Sequence, residues 1–286
     1  YDFETRMKTV NSDNGSNPEH WKMFAELGLL AIPFSEEQGG LGGGHTDLSL
    51  IFEEFGKAIV VEPYLANVVL AGGVLKRSNL ENADELIAGI VSGETQISLA
   101  NYEPMKGFNL DNVDATISSD GQINGTKSTV LNAGNADHFI VFGKSGDGYA
   151  FGLVNRSSDG VKVVNYKTYD GFVSGDLVLE NCKCDAVFSA ENALEILEET
   201  ILDAIVCVSS EAVGAMEKSY KLTIEYTQQR EQFGQSLSKF QALQHRMVDM
   251  FMETEFTKSF LLKVLATEDS DEKRKLIFGL KNQIGK

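Results

Sequence analysis

The sequence predicts an α+β fold, with helical blocks at both ends and a block of short strands between them. Three observations carry this. Apolar residues recur at three- and four-residue steps in the first third. The middle third breaks into β-rich runs parted by DG, NG and GDG turn signals. Long stretches poor in helix breakers return from about residue 190. Segregated blocks, rather than alternating strand and helix, indicate α+β. The predicted division is an all-helical N-terminal domain over 1–94, a middle antiparallel β domain over 95–189, and a C-terminal helical bundle over 190–286 that reads as incomplete.

In chain order, Trp21, Phe24, Leu27 and Leu29–Leu30 recur at helical spacing, with Asn17 as the cap and Pro18 in the first turn. Glycines 39, 40, 42, 43 and 44 then mark a loop. A Gly-rich loop before a helix can hold phosphate, but no Rossmann-type strand precedes this one and no P-loop lysine follows it, so a structural turn is the stronger reading. Thr46 or Asp47 is the expected cap of the next helix, which carries Leu48, Ile51, Phe52 and Phe55, and helix continues to about residue 92. ISLA, ATISSDG, QINGTKSTVLNA, DHFIVFGKSGDGYAFGLV, GVKVVNY and SGDLVLENCKC read as strands and their turns. A helix is expected from Glu191 to Tyr226, its small residues (Ala204, Ser209, Ser210, Ala212, Gly214, Ala215) suiting close helix packing. A second long helix runs to about 266, an acidic turn spans 268–273, and a third helix follows.

Composition narrows the function. The 286 residues carry 25 Lys+Arg against 42 Asp+Glu, a net charge of −17. That argues against nucleic acid as the main partner, since phosphate backbones require a basic footprint. It leaves room for a small phosphorylated ligand, which needs only a few local cations. No apolar run reaches the ~18–20 residues of a membrane span, and no signal-peptide pattern is present. Position 1 is Tyr rather than Met, so the start reads as trimmed. Three cysteines (Cys182, Cys184, Cys207) suggest a reducing, cytoplasmic setting. Cys182-x-Cys184 resembles half a metal site, but without a second ligand pair it reads as two strand-edge thiols and no metal is expected.

The most informative stretch is EYTQQREQFGQSLSKFQALQHRMVDM, residues 225–250. Phe240, Leu243, Met247, Met250 and Phe251 form one apolar helix face, and Arg230 lies in the turn before it. An arginine on the buried side of such a junction needs an anion, because an unpaired buried charge is costly. Phosphate suits a planar guanidinium fork. Phe233 would supply an apolar wall, and Gln232, Gln241 and Gln244 supply donors and acceptors. The competing reading is an Arg–Glu pair with Glu225 or Glu231 at a helix junction, and the residues alone favour it.

The same stretch resembles a signature of the acyl-CoA dehydrogenases: Tyr, then Arg-x-x-Phe-Gly, then a Phe–Gln pair, a further Gln, and an Asp-Met end. WKMFAELGLLAIPFSEEQGGLGG (21–43) resembles that family's first-domain pattern, and INGTKSTVLNAGNADHFIVF (123–142) its β-domain core. EPY (62–64), EAVGAM (211–216) and FQALQHR (240–246) resemble the small subunits of heteromeric members such as pimeloyl-CoA dehydrogenase. The resemblance spans the chain and implies the acyl-CoA dehydrogenase-like fold. It also implies FAD as cofactor, an acyl-CoA substrate desaturated at the α,β bond in fatty acid metabolism, and a second acyl-CoA dehydrogenase subunit in a homo- or hetero-oligomer. An electron-transfer flavoprotein is the implied acceptor.

Carried over by motif, Arg230, Gln232 and Phe233 would touch FAD of a neighbouring subunit, with Gln241 and Gln244 alongside. Two β-domain segments of the family contact the flavin ring. They read here Tyr102-Glu103-Pro104 and Thr129-Val130-Leu131, so two family threonines are replaced, by Tyr102 and Leu131. The Gly-Ser-Asp run that usually follows the proline is replaced by MKGFNLDN. A carboxylate is the expected α-proton base. The early family position for it falls on Ala204, which cannot serve, and Asp203 would project about 100° away around the helix. The commoner position is expected beyond residue 286, so no catalytic residue is assigned. Glu211 is expected either to line an acyl cavity or to be a helix-surface or interface carboxylate. A non-catalytic scaffold subunit and an acyl-CoA oxidase-like flavoprotein are the alternatives.

Overall fold

Asn17 opens the first well-packed helix as expected. The computed structural model describes residues 1–285, which fall into two compact units: residues 4–44 with 61–204, and residues 1–3, 45–60 and 205–286. We call them the sheet unit and the helical unit.

In the sheet unit, α1 (Phe3–Asn11) precedes α2 (Pro18–Glu26). The Asn17 side chain accepts the Glu19 amide at 2.9 Å, and α2 buries Trp21 and Phe24. Leu27 lies past the end of α2 and is exposed, while Leu29–Ala31 form a separate 3₁₀ turn, so the apolar spacing spans two elements rather than one. The Gly-rich loop is a packing turn. Ser35 and Gln38 form a capping box, and Gly40 lies so close to Phe34 that a Cβ there would meet the Phe34 carbonyl oxygen at 2.1 Å. A π-helical segment (Leu65–Ala71) follows, then α4 (Gly72–Leu75) and α5 (Ala83–Ser92). The π segment places Asn67 in the interior, where it donates to the Thr95 carbonyl at 3.2 Å and accepts the Ile97 amide at 2.8 Å. One amide thereby ties the helices to the first strand.

The strands are β1 (Ile97–Ala100), β2 (Thr116–Ile117), β3 (Gln122–Leu131), β4 (His138–Ser145), β5 (Gly148–Asn155), β6 (Val161–Lys167), β7 (Val173–Lys183) and β8 (Ala186–Phe188). They form one sheet in the order β6-β7-β3-β2-β4-β5-β8, with β1 on β4. Most pairs are antiparallel, as expected, but β1 and β2 each run parallel to β4, so the sheet is mixed. A long excursion, rather than a hairpin, separates β1 from β4, and that is what a parallel pair requires. Phe139, Val141, Val154, Leu177 and Leu179 share the core. Cys182 belongs to that core rather than to a strand edge.

α6 runs from Ala193 to Gln229; its residues from Ile205 onward belong to the helical unit, with α3 (His45–Ala58). Because α3 begins at His45, Thr46 and Asp47 lie inside its first turn rather than at the position before it. Asp47 there complements the positive end of the helix dipole. The small residues of α6 pack as expected. A Cβ on Gly56 would meet the Glu211 carbonyl oxygen at 1.8 Å, and one on Gly214 the Glu53 carbonyl oxygen at 1.9 Å, so α3 and α6 touch backbone to backbone. Ser210 Oγ donates to Ser49 Oγ at 2.9 Å at the same contact. A short hairpin, β9 (Glu231–Gln232) and β10 (Gln235–Ser236), leads into α7 (Gln241–Ala266) and α8 (Ser270–Ile284). The acidic run is mostly helical: Asp269 caps α8 by accepting the Glu272 amide at 2.7 Å. The residues α7 buries fully are Thr254, Thr257, Leu261 and Val264, whereas Leu243, Met247 and Met250 are half-buried and Phe251 is exposed.

Candidate functional site

The expected site residues gather in two places, one in each unit. In the helical unit they sit on the hairpin and the start of α7. Gln232 pairs with Gln235 and Glu231 with Ser236, leaving Phe233 and Gly234 as the two-residue turn. Their φ values are 56° and 79°, the pattern of a type I′ turn. That turn suits Asn-Gly, and a bulky residue in its first position is a genuine backbone outlier. Its effect is to push the Phe233 ring outward. The ring is 91% exposed and meets Phe240 edge to face, at 6.2 Å and 84°.

Arg230 stands at the base of this hairpin, its carbonyl accepting the Leu237 amide at 2.9 Å. Its side chain is exposed and, among the described residues, pairs with neither Glu225 nor Glu231. This overturns the buried setting and the structural ion pair expected from the residues alone. Gln232 and Gln241 are exposed, and Gln232 donates to the Glu231 carbonyl at 2.8 Å. Gln244 is already engaged, donating to the Ser238 carbonyl at 2.9 Å. A cavity of about 500 Å³ lies beside these residues, lined in part by Thr227, Gln228, Gln244, Met247 and Phe251.

In the sheet unit, Tyr102 and Thr129 come together because the Tyr102 carbonyl accepts the Ser128 amide at 2.9 Å. Residues 101–104 and 128–131 thus form one lip. Tyr102 is half-buried against Phe108, edge to face at 6.2 Å, and burial pushes its hydroxyl above the usual tyrosine range. Thr129 is exposed at φ 53°, where the β3–β7 register slips. Its amide is not available to a ligand, since it points at Tyr166 Oη and Asp176 Oδ1, each at 3.2 Å. Leu131 is half-buried on the same strand.

Sequence reasoning passed over the residues beneath this lip. Lys127 is 0% exposed and its Nζ lies 2.7 Å from Glu103 Oε1. Burial alone would push the Glu103 carboxyl up, but the Lys127 hydrogen bond and the Asp114 and Ala115 amides outweigh it and hold the carboxyl below the usual range. Burial dominates at Lys127 and lowers its ammonium, with Glu103 opposing. The signal was present in the sequence, since Lys127 has the same strand parity as Ile123 on an inward face. A lysine there demands an acid.

Asp203 is buried and pairs with Arg77 Nη2 at 2.7 Å, so it is committed to an ion pair. Ala204 is buried. Glu211 is half-buried on α6, its backbone at the Gly56 contact. The Cys182 and Cys184 thiols are pushed up by burial, and Cys184 Sγ donates to the Gly121 carbonyl at 3.1 Å, so both serve packing. No described helix is long and apolar enough to cross a membrane.

Two family models match the chain: acyl-CoA dehydrogenase, N-terminal domain, over residues 3–94, and acyl-CoA dehydrogenase, C-terminal domain, over residues 194–284. The Bacillus subtilis (strain 168) protein "Probable acyl-CoA dehydrogenase YngJ" is 29% identical over 269 residues, spanning 87% of this chain and 70% of that one. The ChsE4-ChsE5 complex from Mycobacterium tuberculosis has a similar fold, with a TM-score of 0.86 at 24% identity over 99% of this chain and 78% of that one. The FAD complex of PigA gives a TM-score of 0.86 at 22% identity over 99% of this chain and 80% of that one.

Proposed function

Because this chain belongs to the acyl-CoA dehydrogenase family, we propose that it is an FAD-binding subunit of an oligomeric acyl-CoA dehydrogenase, acting in the α,β-dehydrogenation of an acyl-CoA thioester. The observation that carries this reading is the hairpin: a guanidinium, exposed and without an ion pair among the described residues, three positions before an aromatic ring held outward at positive φ. This donor set fits a dinucleotide. Arg230 would grip the pyrophosphate of a neighbouring subunit's FAD as a bidentate fork, Phe233 would give it an apolar face, and Gln232 and Gln241 would present amides. Gln244 would act indirectly by holding the Ser238 turn. Tyr102, Thr129 and Leu131 would border the flavin ring from the lip, Thr129 through its side chain because its amide is taken. When bound, the flavin would supply the redox half of the reaction. Glu211 would line the acyl cavity. A FAD complex among proteins of the same fold supports this cofactor.

A second reading is favoured by a specific observation. Among the described residues, each buried carboxylate is already engaged: Glu103 pairs with Lys127 and Asp203 with Arg77, and Glu62 Oε1 lies 2.9 Å from His20 Nδ1. None is a candidate α-proton base. This suits a subunit that lends Arg230 and Phe233 to a flavin held by another chain, and the fold of the ChsE4-ChsE5 complex is compatible with such an arrangement.

One experiment separates the two. The full gene product, purified alone, is examined for flavin absorbance and then given acyl-CoAs with an artificial electron acceptor. A yellow protein that bleaches anaerobically with an acyl-CoA excludes the scaffold reading. A colourless, inactive protein that restores a partner's activity excludes the self-sufficient one, and a protein with neither property overturns both.

A further inference from the structure

The Glu103–Lys127 pair is buried where apolar side chains of similar volume would serve stability as well or better. What it does that an apolar pair cannot is geometric. Glu103 Oε1 accepts from Lys127 Nζ at 2.7 Å and from the Ala115 amide at 2.9 Å, and Oε2 accepts from the Asp114 amide at 2.6 Å. Lys127 Nζ also reaches the Asn101 carbonyl at 3.4 Å. One carboxylate therefore joins the two ends of the excursion over 104–113 and pins both to β3. Directly above, the Tyr102 carbonyl takes the Ser128 amide, next to the strained Thr129.

We propose that Glu103 and Lys127 are positioning residues that fix residues 101–104 against 128–131, so that the lip holds one geometry. Its consequence for the flavin rests on the functional reading above; the geometry itself does not. Each buried charge is satisfied only in one register, because a shift of one residue would carry Lys127 to the opposite face of the sheet. An apolar pair would tolerate such slack. The same excursion exposes Met105 and Phe108, so its placement depends on the hydrogen bonds at its ends more than on burial of its own side chains.

The test replaces both charges at once, with Glu103→Leu and Lys127→Met in one protein, beside a second variant, Glu103→Asp, that keeps both charges but shortens the reach. The readouts are amide hydrogen exchange in the flavin-free chain and flavin affinity by fluorescence titration. Expected is exchange about tenfold faster or more at the Ser128 and Thr129 amides, with the rest of the sheet unchanged. Flavin binding should weaken by about tenfold, on the scale of lost support to a binding site. Wild-type protection at 128–129 in both variants overturns the proposal. So does protection lost evenly across the sheet in Glu103→Asp, which would make the pair merely structural. If wild type binds no flavin while the local exchange result holds, the positioning role stands and the flavin reading falls.

Discussion

Phe233→Asn should make the flavin-free protein no less stable, and slightly more so, while weakening its hold on flavin. Phe233 sits at φ 56° in the first position of a two-residue turn. An L-residue in that region costs roughly 1–2 kcal/mol, most of which Asn-Gly, the preferred type I′ pair, avoids. Against this stands the loss of the edge-to-face contact with Phe240. Such contacts are worth about 0.5–1.5 kcal/mol, and the low end applies to a ring so exposed. The balance is a gain of about 0.5–1 kcal/mol, or about 1–4 °C in Tm at the usual ~2–4 °C per kcal/mol. Losing the aromatic wall should weaken flavin by about 1–2 kcal/mol, about 5- to 30-fold. Differential scanning fluorimetry of flavin-free protein and equilibrium flavin titration measure the two effects, and Phe233→Tyr, which keeps the ring, is the control. A lower Tm with unchanged flavin affinity would refute the reasoning, since it would make Phe233 a packing residue.

Arg230→Ala should reduce flavin retention by the ~1.5–3 kcal/mol of hydrogen bonds to a charged group, with little change in the flavin-free Tm; equal flavin occupancy in mutant and wild type would count against the assignment. Gly56→Ala places a methyl 1.8 Å from the Glu211 carbonyl oxygen, so α3 and α6 must part at about 1–3 kcal/mol. Gly148→Ala meets nothing within 4 Å and should stay within about 0.5 kcal/mol; thermal melts of the two should therefore differ clearly. Glu217 lies close to Lys221, Lys57 and Lys258, and the Lys221 hydrogen bond, with the other two lysines adding to it, holds its carboxyl below the usual range. A depressed acid contributes stability that is fully present above its unfolded pKa of about 4.3 and lost as pH falls through the lower folded value. Glu217→Gln should therefore lower Tm at pH 7 and flatten the acid limb of Tm against pH, and an unchanged limb would exclude Glu217 as a contributor.

What the sequence made legible was chemistry that acts over a few residues. Asn17 before Pro18 sets α2, and the DG pairs at 120–121, 159–160 and 170–171 fall between strands, because caps and turns are decided locally, whereas the NG pair at 124–125 lies inside β3. The parallel pairing of β1 with β4 joins segments some 40 residues apart, and nothing in either strand encodes its partner. The three residues of β8 are too few for a periodic signal. At the candidate site, the Arg-x-x-Phe-Gly spacing picks out the stretch that folds into the β9–β10 hairpin. The hairpin within it was hidden because Phe is the wrong residue for its turn, and local rules fail where a strained residue is kept. Whether Arg230 joins Glu225 or Glu231 depends on side-chain reach, which spacing does not give. Lys127 was readable in principle, but its acid, Glu103, lies 24 residues earlier and only the folded sheet brings the two together.

The unpaired state of Arg230 carries weight because of the chain's charge balance. With 42 acids against 25 lysines and arginines, cations are the scarce partner. Arg77 shows such sharing, one guanidinium serving both Asp203 and Glu199. Two glutamates flank Arg230 in sequence, yet it faces solvent. A surface ion pair is worth only about 0–1 kcal/mol, so stability alone does not decide its absence. Paired with an aromatic held out at a backbone cost of similar size, however, the two make a coherent surface. Both features are unfavourable or neutral for the isolated chain, and both become favourable once an anionic, planar ligand covers them.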